Sequence, residues 1–376
     1  MKIREFGVEL WMNEFENSCE FNLAETCVES LTIQQLLSYA GKSETALLDL
    51  LPMKMTYGAI EGSDKLRDNI CAQYASQKRE NIIVTHGTIG ANALIYQALV
   101  NPGDHVISVM PTYQQHYSIP ESIGANVSIL HLREENLFLP DLSELRQMVT
   151  PKTKLIAINN PNNPTGSLMD QDFLAEIVNI ARSCDAYLLS DEVYRGIDQA
   201  GDGFTAAIAD IYEKGISTAG MSKVYSLAGL RLGWIAAPVD VIHAVSIHRD
   251  YNTISVGMID EYFANMALEN SDKILARSRD ITRRNLAILD AWVMAEPSIT
   301  YVKPKSATLA LLKYDFDIPS RDFCVDLLAR TGVMLTPGSA MDMEGYVRIG
   351  FANGTDVLEE GLAKISGFLA GLRRTN

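Results

Sequence analysis

The chain has 376 residues, a formal net charge of −15 and a hydrophobic fraction of 47%. This length exceeds one ordinary hydrophobic core, so the sequence favours two domains. The acidity argues against a surface that binds nucleic acid or an anionic membrane.

The cysteines and histidines indicate no disulfide framework and no metal site. Five cysteines are scattered without a CxxC pair, which favours reduced thiols. The six histidines form no HExxH motif and no Cys/His cluster, so we expect no bound metal. No signal-like apolar segment follows the first residues, and no stretch approaches a membrane span. We therefore expect a cytoplasmic location.

The first 70 residues carry few chemically informative groups. An amphipathic start is followed by a helical pattern over 31–37. Residues 57–67 then predict a loop that enters a helix, in which Ser63 or Asp64 can cap the N-terminus.

From residue 81 onward, short apolar runs alternate with helical patterns. Strands are predicted at 82–84, 105–109, 127–130, 155–158 and 187–190, and helices at 91–100, 142–149 and 171–183. This alternation predicts a mostly parallel sheet with helices on both faces. In such sheets, ligands bind beyond the carboxyl ends of the strands.

Two of these strand ends carry candidate contacts for a flat, anionic ligand. Gly87, Thr88 and Ile89 turn a strand into a helix whose first N–H groups can bind an anion, although an ordinary turn has the same form. Tyr113 follows the next strand, where it can stack on an aromatic ring or serve only in packing.

Polar groups follow two further strands. Residues 160–166 read Asn-Pro-Asn-Asn-Pro-Thr-Gly, a rigid loop that presents amides such as Asn163, or else simply an elaborate turn. Asp191 ends an apolar run, so its carboxylate needs a cationic partner, and Tyr194 can reach the same pocket. A capping aspartate with a core tyrosine is the alternative.

The stretch 220–234 holds Lys223 and, eight residues later, Arg231. Burial disfavours an ammonium, so we expect Lys223 to lose its proton readily and to act as an amine nucleophile that forms a Schiff base. The guanidinium of Arg231 fits a phosphate. A surface loop with solvated charges is the alternative.

Over essentially its whole length, the order of these segments resembles fold type I pyridoxal-phosphate enzymes, specifically the class I/II aminotransferases. The Asn-Pro loop at 160–166, together with Ser222-Lys223 and Arg231, is the most specific part of the resemblance. It implies an α/β fold, with a large cofactor-binding domain over 45–255 that has a mostly parallel sheet flanked by helices. Residues 1–44 and 256–376 would form a smaller α+β domain.

The resemblance also implies roles for the candidate residues. Lys223 would hold pyridoxal 5'-phosphate and then act as general base and acid. Asp191 would pair with the pyridine nitrogen, Asn163 and Tyr194 would hydrogen-bond the phenolic oxygen, and Tyr113 would stack on the ring. The phosphate contacts would come from Gly87, Thr88, Ile89, Ser222 and Arg231, with Tyr57 from a neighbouring subunit, so a homodimer with its active site at the interface is expected.

The C-terminal part supplies the expected carboxylate site. Arg348 lies in a strand pattern at 345–350 and would bind the substrate α-carboxylate; pairing with a surface acid is the alternative. Around it we predict a long helical stretch at 260–294, strands at 308–312, 333–336 and 346–351, and a helix at 356–372.

Two departures from the family pattern stand out. Gly220 occupies a position where the family usually has a phosphate-binding serine. Glu25 lies where the family usually has a glycine-bearing apolar stretch at the substrate pocket. Glu25 could face a cationic substrate side chain, or it could be exposed or capping.

The expected reaction is transamination between an amino acid and a 2-oxo acid. An amino-acid lyase or oxidase on the same scaffold is the alternative, because the cofactor supplies the carbanion chemistry and the pocket selects its outcome. A ligand-sensing module that kept the pocket is a third reading, which an attached DNA-binding segment would favour; no such segment is recognised in the 376 residues.

Overall fold

A computed structural model describes residues 2–375 of the chain. The strands are β1 (Phe21–Asn22), β2 (Ile82–His86), β3 (His105–Met110), β4 (Asn126–His131), β5 (Thr153–Asn159), β6 (Tyr187–Asp191), β7 (Gly215–Gly220), β8 (Leu232–Ala236), β9 (Ile299–Tyr301), β10 (Leu309–Tyr314), β11 (Val333–Met334), β12 (Thr336–Pro337) and β13 (Tyr346–Gly350). The α-helices are α1 (Gly7–Phe15), α2 (Ile33–Tyr39), α3 (Asp64–Cys71), α4 (Gly87–Leu99), α5 (Gln115–Ile123), α6 (Leu142–Met148), α7 (Gln171–Ser183), α8 (Ile208–Ile211), α9 (Val239–Arg249), α10 (Met258–Leu268), α11 (Ser271–Ala295), α12 (Ser320–Thr331) and α13 (Thr355–Thr375). Within the described residues, no helix is long and apolar enough to cross a membrane.

The central sheet has seven strands in the order β2-β8-β7-β6-β5-β3-β4. Its pairs are parallel except those made by β8, which runs antiparallel to both neighbours. The five strands predicted from the sequence are confirmed. Strands β7 and β8 were not predicted: β7 consists mostly of small residues, and the apolar segment of β8 is interrupted by Gly233.

Both faces of this sheet are buried, as expected for parallel strands covered by helices. Alternate residues of a strand point to opposite faces. The side chains of Ile107, Ile156 and Leu188 join one apolar cluster, whereas those of Val106, Leu155 and Leu189 join the cluster beneath α4 and α9.

Two helix predictions need correction. The helix predicted at 91–100 begins earlier, at Gly87, directly after strand β2. The long stretch predicted at 260–294 forms two helices, α10 and α11, separated at Asn270, whose backbone is not helical. Asparagine side chains compete with helical hydrogen bonds, which favours such a break.

The C-terminal part builds a second core around a four-stranded antiparallel sheet in the order β12-β13-β10-β9. The predicted strand at 333–336 is in fact two strands: β11 pairs with β1 near the N-terminus, and β12 pairs with β13. The side chains of Trp11, Phe21 and Leu23 pack into this core, so the N-terminal segment folds onto the C-terminal part.

Apolar packing continues across the predicted domain boundary near residue 256. Phe263 of α10 and Leu275 of α11 share one cluster with Leu66 and Ile82. The domain limits 45–255 therefore stay a prediction.

The register of the central strands places the polar strand ends side by side. Asp191 at the end of β6 lies opposite Asn159 of β5 and opposite Thr218 of β7. The loop that holds Lys223 begins directly after β7. Neighbouring parallel strands therefore deliver the amide, the carboxylate and the amine to one edge of the sheet.

Candidate active site

One cavity of about 320 Å³ lies where these strand ends meet the N-terminal segment and β13. It brings together the predicted site residues Glu25, Thr88, Ile89, Tyr113, Asn163, Asp191, Tyr194, Ser222, Lys223, Arg231 and Arg348. Gly87 lies just outside the lining, and Tyr57 lies away from it.

The amine of Lys223 points into a small polar group from the N-terminal segment. Its Nζ donates to Thr26 Oγ1 at 2.9 Å and to Cys27 Sγ at 3.4 Å, and it lies 3.6 Å from Glu25 Oε1. The backbone N–H of Val28 donates to the carbonyl of Lys223, which fixes the two segments together.

The pKa of Lys223 differs from the expectation drawn from its sequence setting. Burial lowers this pKa, but the acidic groups of Cys27, Tyr194, Glu25 and Tyr113 outweigh burial, so the pKa is raised above its ordinary value. This direction is opposite to the one expected for a readily deprotonated amine, which corrects that expectation. The ionised Glu25 is the neighbouring charge that favours the ammonium form.

The carboxylate of Glu25 is already engaged. Its Oε1 accepts the backbone N–H groups of Thr26 and Cys27 at 2.6 and 2.7 Å. Burial raises its pKa, but Lys223 and the bonds to Thr26 and Cys27 outweigh burial and bring the pKa down to about 2. Burial raises the pKa of the Cys27 thiol to about 11. Glu25 is thus an ionised partner of Lys223 in this structure, and its predicted contact with a substrate stays a prediction.

Asp191 is buried, and a network behind it fixes its carboxylate. Asn92 Nδ2 donates to Asp191 Oδ2 at 2.8 Å, and His116 Nε2 lies 3.5 Å from the same oxygen. His116 Nδ1 is in turn 2.9 Å from the hydroxyl of Tyr96, and Thr218 Oγ1 donates to Asn92 Oδ1. The network leaves the carboxylate aimed at the cavity in one orientation.

The start of α4 forms an anion-binding corner. Gly87 has φ +69°, and a Cβ there would lie 2.9 Å from Arg231 Nη2, so glycine gives the guanidinium room beside the backbone. Thr88 is buried, and its hydroxyl has no hydrogen-bond partner in the part of the chain that the structure describes. Arg231 itself is exposed at the mouth of the cavity.

The packing at the same corner explains why position 220 is a glycine. A Cβ at this position would lie 2.6 Å from Thr88 Oγ1 and 3.0 Å from the carbonyl of Leu232. A serine cannot fit here without displacing the backbone of β8. The hydroxyl of Thr88 therefore occupies the space that a side chain at position 220 would need.

Arg348 is buried at the far end of the cavity. Its guanidinium donates to Asn163 Oδ1 at 3.1 Å, to the carbonyl of Ala24 at 3.1 Å and to Thr336 Oγ1 at 3.2 Å. Within residues 2–375, its Nε has no hydrogen-bond partner. Burial lowers its pKa, and Tyr194, Glu25, Tyr113 and Glu9 oppose that shift only in part. A buried guanidinium with a free N–H can donate a hydrogen bond to the carboxylate of a ligand.

Two tyrosines complete the lining. Tyr194 is 1% exposed, and burial raises its pKa despite the nearby Lys223 and Thr26 hydroxyl. The hydroxyl of Tyr113 donates to Glu9 Oε1 at 3.0 Å. Its ring packs against Phe6, with centroids 4.8 Å apart.

Tyr57 is 77% exposed. It does not reach the cavity of its own protomer, so its assignment to a neighbouring subunit stays a prediction. Several residues of the site were not predicted from the sequence. They are Glu9, Met12, Glu16, Thr26, Cys27, Asn92 and His116. Of these, only Asn92 and His116 follow the predicted strand ends closely enough for the pattern to have included them.

These residues fit pyridoxal phosphate. The unpartnered hydroxyl of Thr88, the start of α4 and Arg231 suit its phosphate. Asp191 suits a protonated ring nitrogen, because a buried carboxylate is stabilised by a paired cation. Lys223 lines the same cavity and can bind the aldehyde.

Comparison with known proteins agrees with this chemistry. Residues 43–365 match the sequence model of "Aminotransferase class I and II". The chain superimposes on a structure described as a PLP-dependent aminotransferase from Streptococcus suis 89-1591 with a TM-score of 0.96, at 44% identity, covering 100% of this chain and 99% of that chain.

Two curated relatives show the range of names among similar proteins. An aspartate aminotransferase of Thermotoga maritima is 30% identical over 87% of this chain and 86% of its own length. A capreomycidine synthase of Streptomyces vinaceus is 29% identical over 96% of this chain and 92% of its own length.

The chain belongs to the class I and II aminotransferase family. Its fold is that of the fold type I pyridoxal-phosphate-dependent transferases, and its activity is that of an aminotransferase. The resemblance drawn from the sequence is confirmed.

Proposed function

We propose that the chain acts as a cytoplasmic homodimer that binds pyridoxal phosphate through Lys223 and transfers an amino group from an amino acid to a 2-oxo acid. One observation carries the proposal: Lys223, the buried acid Asp191 and the buried Arg348 line the same cavity. An amine, an acid and a carboxylate-binding arginine are the groups that amino-acid chemistry on this cofactor needs.

The cofactor, when bound, supplies an aldehyde that condenses with amines and a ring that accepts electrons. Asp191 keeps a proton on the ring nitrogen, and the contact from Asn92 prevents the carboxylate from turning away. Thr88, Ile89, Ser222 and Arg231 hold the phosphate, with Gly87 giving the backbone its close approach.

Arg348 orients the substrate by binding its α-carboxylate. Asn163 accepts from Arg348 and lines the same cavity as Lys223, so it can contact both the substrate and the cofactor. Tyr194 would hydrogen-bond the phenolic oxygen of the ring, and Tyr113 would stack on the ring face.

Lys223 moves the proton. Once its amine is released as the neutral form, it accepts the proton from the substrate Cα and later returns one. The ionised Glu25, 3.6 Å away, stabilises the ammonium that this transfer creates. The proton therefore has a defined acceptor and a fixed counter-charge within the cavity.

The homodimer is supported by exposed apolar side chains on two segments, residues 46–60 and 251–262, which are joined by a hydrogen bond from the Tyr262 hydroxyl to the carbonyl of Ala46. These side chains are Leu48, Leu51, Met55, Tyr57, Ile60, Tyr251, Ile254 and Ile259. Exposed apolar patches of this kind mark interaction surfaces. On this proposal, a second protomer covers these segments and its Tyr57 contacts the phosphate. We also propose that residues 45–255 form the large domain and that residues 1–44 and 256–376 form the small one.

A second reaction class has support from one relative. The curated protein named capreomycidine synthase matches nearly the full length of this chain, and its printed name is not that of an aminotransferase. The same residues can deliver an amino acid to elimination or oxidation, because the cofactor chemistry is shared.

The test begins with the purified holoenzyme and sodium borohydride. We expect a visible absorbance band that borohydride removes while fixing the cofactor to Lys223, as mapped by peptide mass spectrometry. Lys223→Ala should lose the label and about 10⁴-fold of the activity. Lys214→Ala, which alters a lysine paired with Asp185 on the surface, is the matched control and should retain both.

The reaction class is tested with an amino-acid panel. Transamination predicts that the band converts to the pyridoxamine form and that one 2-oxo acid appears without ammonia. Stoichiometric ammonia or a requirement for oxygen would assign the protein to the lyases or oxidases. A cofactor label on another lysine would overturn the site itself.

A further inference from the structure

The wall of the cavity opposite Asp191 is formed by one face of helix α1. Val8, Glu9, Met12 and the capping residue Glu16 line the cavity, at spacings that place them on one side of a helix. Other side chains of the same helix contact Arg321 instead of the cavity. The Arg321 guanidinium lies 5.3 Å from the centre of the Trp11 ring and pairs with Glu14.

The charged side chains that line the cavity differ in whether they have a partner of opposite charge. Four carboxylates (Glu9, Glu16, Glu25 and Asp191) and three cations (Lys223, Arg231 and Arg348) face the cavity. Glu25 is paired with Lys223, and Asp191 is held by the network behind it. Among residues 2–375, neither the Glu9 nor the Glu16 carboxylate forms an ion pair with a lysine or arginine, and Glu9 only accepts from Tyr113.

None of the three cations that line the cavity is left to bind a second acidic group of a substrate. On the proposed function, Lys223 serves the amino group, Arg231 the phosphate and Arg348 the α-carboxylate. The buried Arg348, whose Nε has no partner, independently indicates a ligand carboxylate at this end of the cavity. Glu9 and Glu16 line the same cavity as Arg348, so the side chain of a substrate whose carboxylate binds Arg348 can reach the carboxylates of α1.

We propose that this protein selects amino acids with a cationic side chain, a guanidinium or an ammonium, and that Glu9 and Glu16 of α1 are the residues that recognise it. This inference rests on the proposed function and specifies its substrate class. An acidic side chain would meet two unpaired carboxylates and no free cation, and like charges brought together at close range disfavour binding.

The kinetic test compares substrates of matched shape on the holoenzyme. We expect kcat/KM for arginine or lysine to exceed that for norleucine, the neutral analogue of lysine, by at least about tenfold, and aspartate to be the poorest substrate. Glu9→Gln and Glu16→Gln should each lower kcat/KM for arginine and lysine by at least about fivefold more than kcat/KM for norleucine. Glu14→Gln, on the outer face of the same helix, is the matched control and should keep the preference.

A binding measurement separates recognition from catalysis. 5-Guanidinopentanoate has the carboxylate and the guanidinium of arginine but lacks the α-amine, so the holoenzyme cannot transaminate it. Calorimetry should show it binding at least about tenfold more tightly than heptanoate, with the difference reduced in Glu9→Gln and Glu16→Gln.

The outcomes distinguish this inference from the proposed function. Preference for aspartate or norleucine, with normal transamination, would overturn the cationic specificity and leave the aminotransferase standing. If kcat/KM fell equally for arginine and norleucine in the two glutamine variants, Glu9 and Glu16 would have a structural role, and their proposed role in recognising the substrate would be overturned. Tight binding of 5-guanidinopentanoate without transamination of any amino acid would support the specificity and overturn the proposed reaction.

Discussion

The two walls of the cavity are built in different ways. The wall that carries Asp191 consists of neighbouring strand ends of one sheet, backed by the buried contacts of Asn92 and His116. The opposite wall is assembled from distant parts of the chain, because Arg348 bonds the carbonyl of Ala24 and α1 lies beside both. The two walls therefore have different roles. The strand ends of the sheet fix the groups that any reaction of the cofactor needs, whereas the assembled wall contacts the substrate side chain, which differs from one amino acid to another.

The assembled wall depends on tertiary docking. The N–H of Gly7 donates to Gln114, which in turn donates to the carbonyl of Glu5, and Trp11 packs into the C-terminal core. The position of α1 is therefore set by a few side-chain contacts from both parts of the molecule. Changes in this wall should alter substrate use while cofactor binding persists.

The largest effect in this comparison is expected from Arg348→Ala. Removing a buried guanidinium that binds a carboxylate should raise KM for amino acids at least about 100-fold. The dissociation constant of the cofactor should change far less, because the phosphate and ring contacts lie on the other wall. Steady-state kinetics and a spectral titration of the cofactor measure the two effects.

The control for Arg348→Ala is Arg330→Ala, which breaks an exposed i,i+4 pair with Asp326 on α12. This variant should leave both constants unchanged. If Arg348→Ala weakened cofactor binding as much as substrate binding, the two walls would not be functionally separate.

The sheet-borne wall was predictable from the sequence, and the assembled wall was not. Asp191, Asn163, Tyr113 and Thr88 follow apolar runs that alternate with helices, so their convergence follows from the rule for parallel sheets. Even Gly220, a departure from the family pattern, has a local explanation in the contact with Thr88.

Residues of the assembled wall carry no comparable pattern. Glu9 and Glu16 read as polar positions of an amphipathic helix, and nothing local says that this face meets a cavity. Glu25 was expected near the substrate pocket, but its contacts with Lys223 and with two backbone N–H groups depend on how residues 22–28 pack against Gly350 and Lys223. Such placements arise from side-chain packing between segments more than 190 residues apart, as in the bond from Lys223 to Thr26.

A buried glutamate next to the sheet-borne wall, Glu192, gives a pH prediction. Burial raises the pKa of Glu192, next to Asp191, to about 7, and its Oε2 has no partner. The folded protein thus keeps a proton that the unfolded chain releases near pH 4.5, so stability falls as pH rises from about 4.5 to about 7. Glu192→Gln should flatten this fall, which amounts to roughly 3 kcal/mol over the whole range and about 2 kcal/mol above pH 5.5.

Urea unfolding at pH 5.5 and pH 8 measures this difference. Glu25→Gln is the comparison variant from the other wall, because the pKa of Glu25 is lowered to about 2. The stability that Glu25 contributes is present above about pH 4.5 and is lost only as pH falls towards 2, so this variant should keep the wild-type slope between pH 5.5 and 8. Parallel pH profiles for wild type and Glu192→Gln would contradict the assignment.

The smallest expected effect concerns the hydroxyl of Thr88. Among the described residues this buried hydroxyl has no hydrogen-bond partner, and it lies at the start of α4, where the phosphate is proposed to bind. Thr88→Val removes the proposed donor and should weaken cofactor binding about tenfold. Thr88→Ser retains the hydroxyl and should restore most of the affinity. KM for amino acids should stay unchanged in both variants, since Thr88 belongs to the sheet-borne wall; an effect on KM without an effect on cofactor affinity would place the phosphate elsewhere.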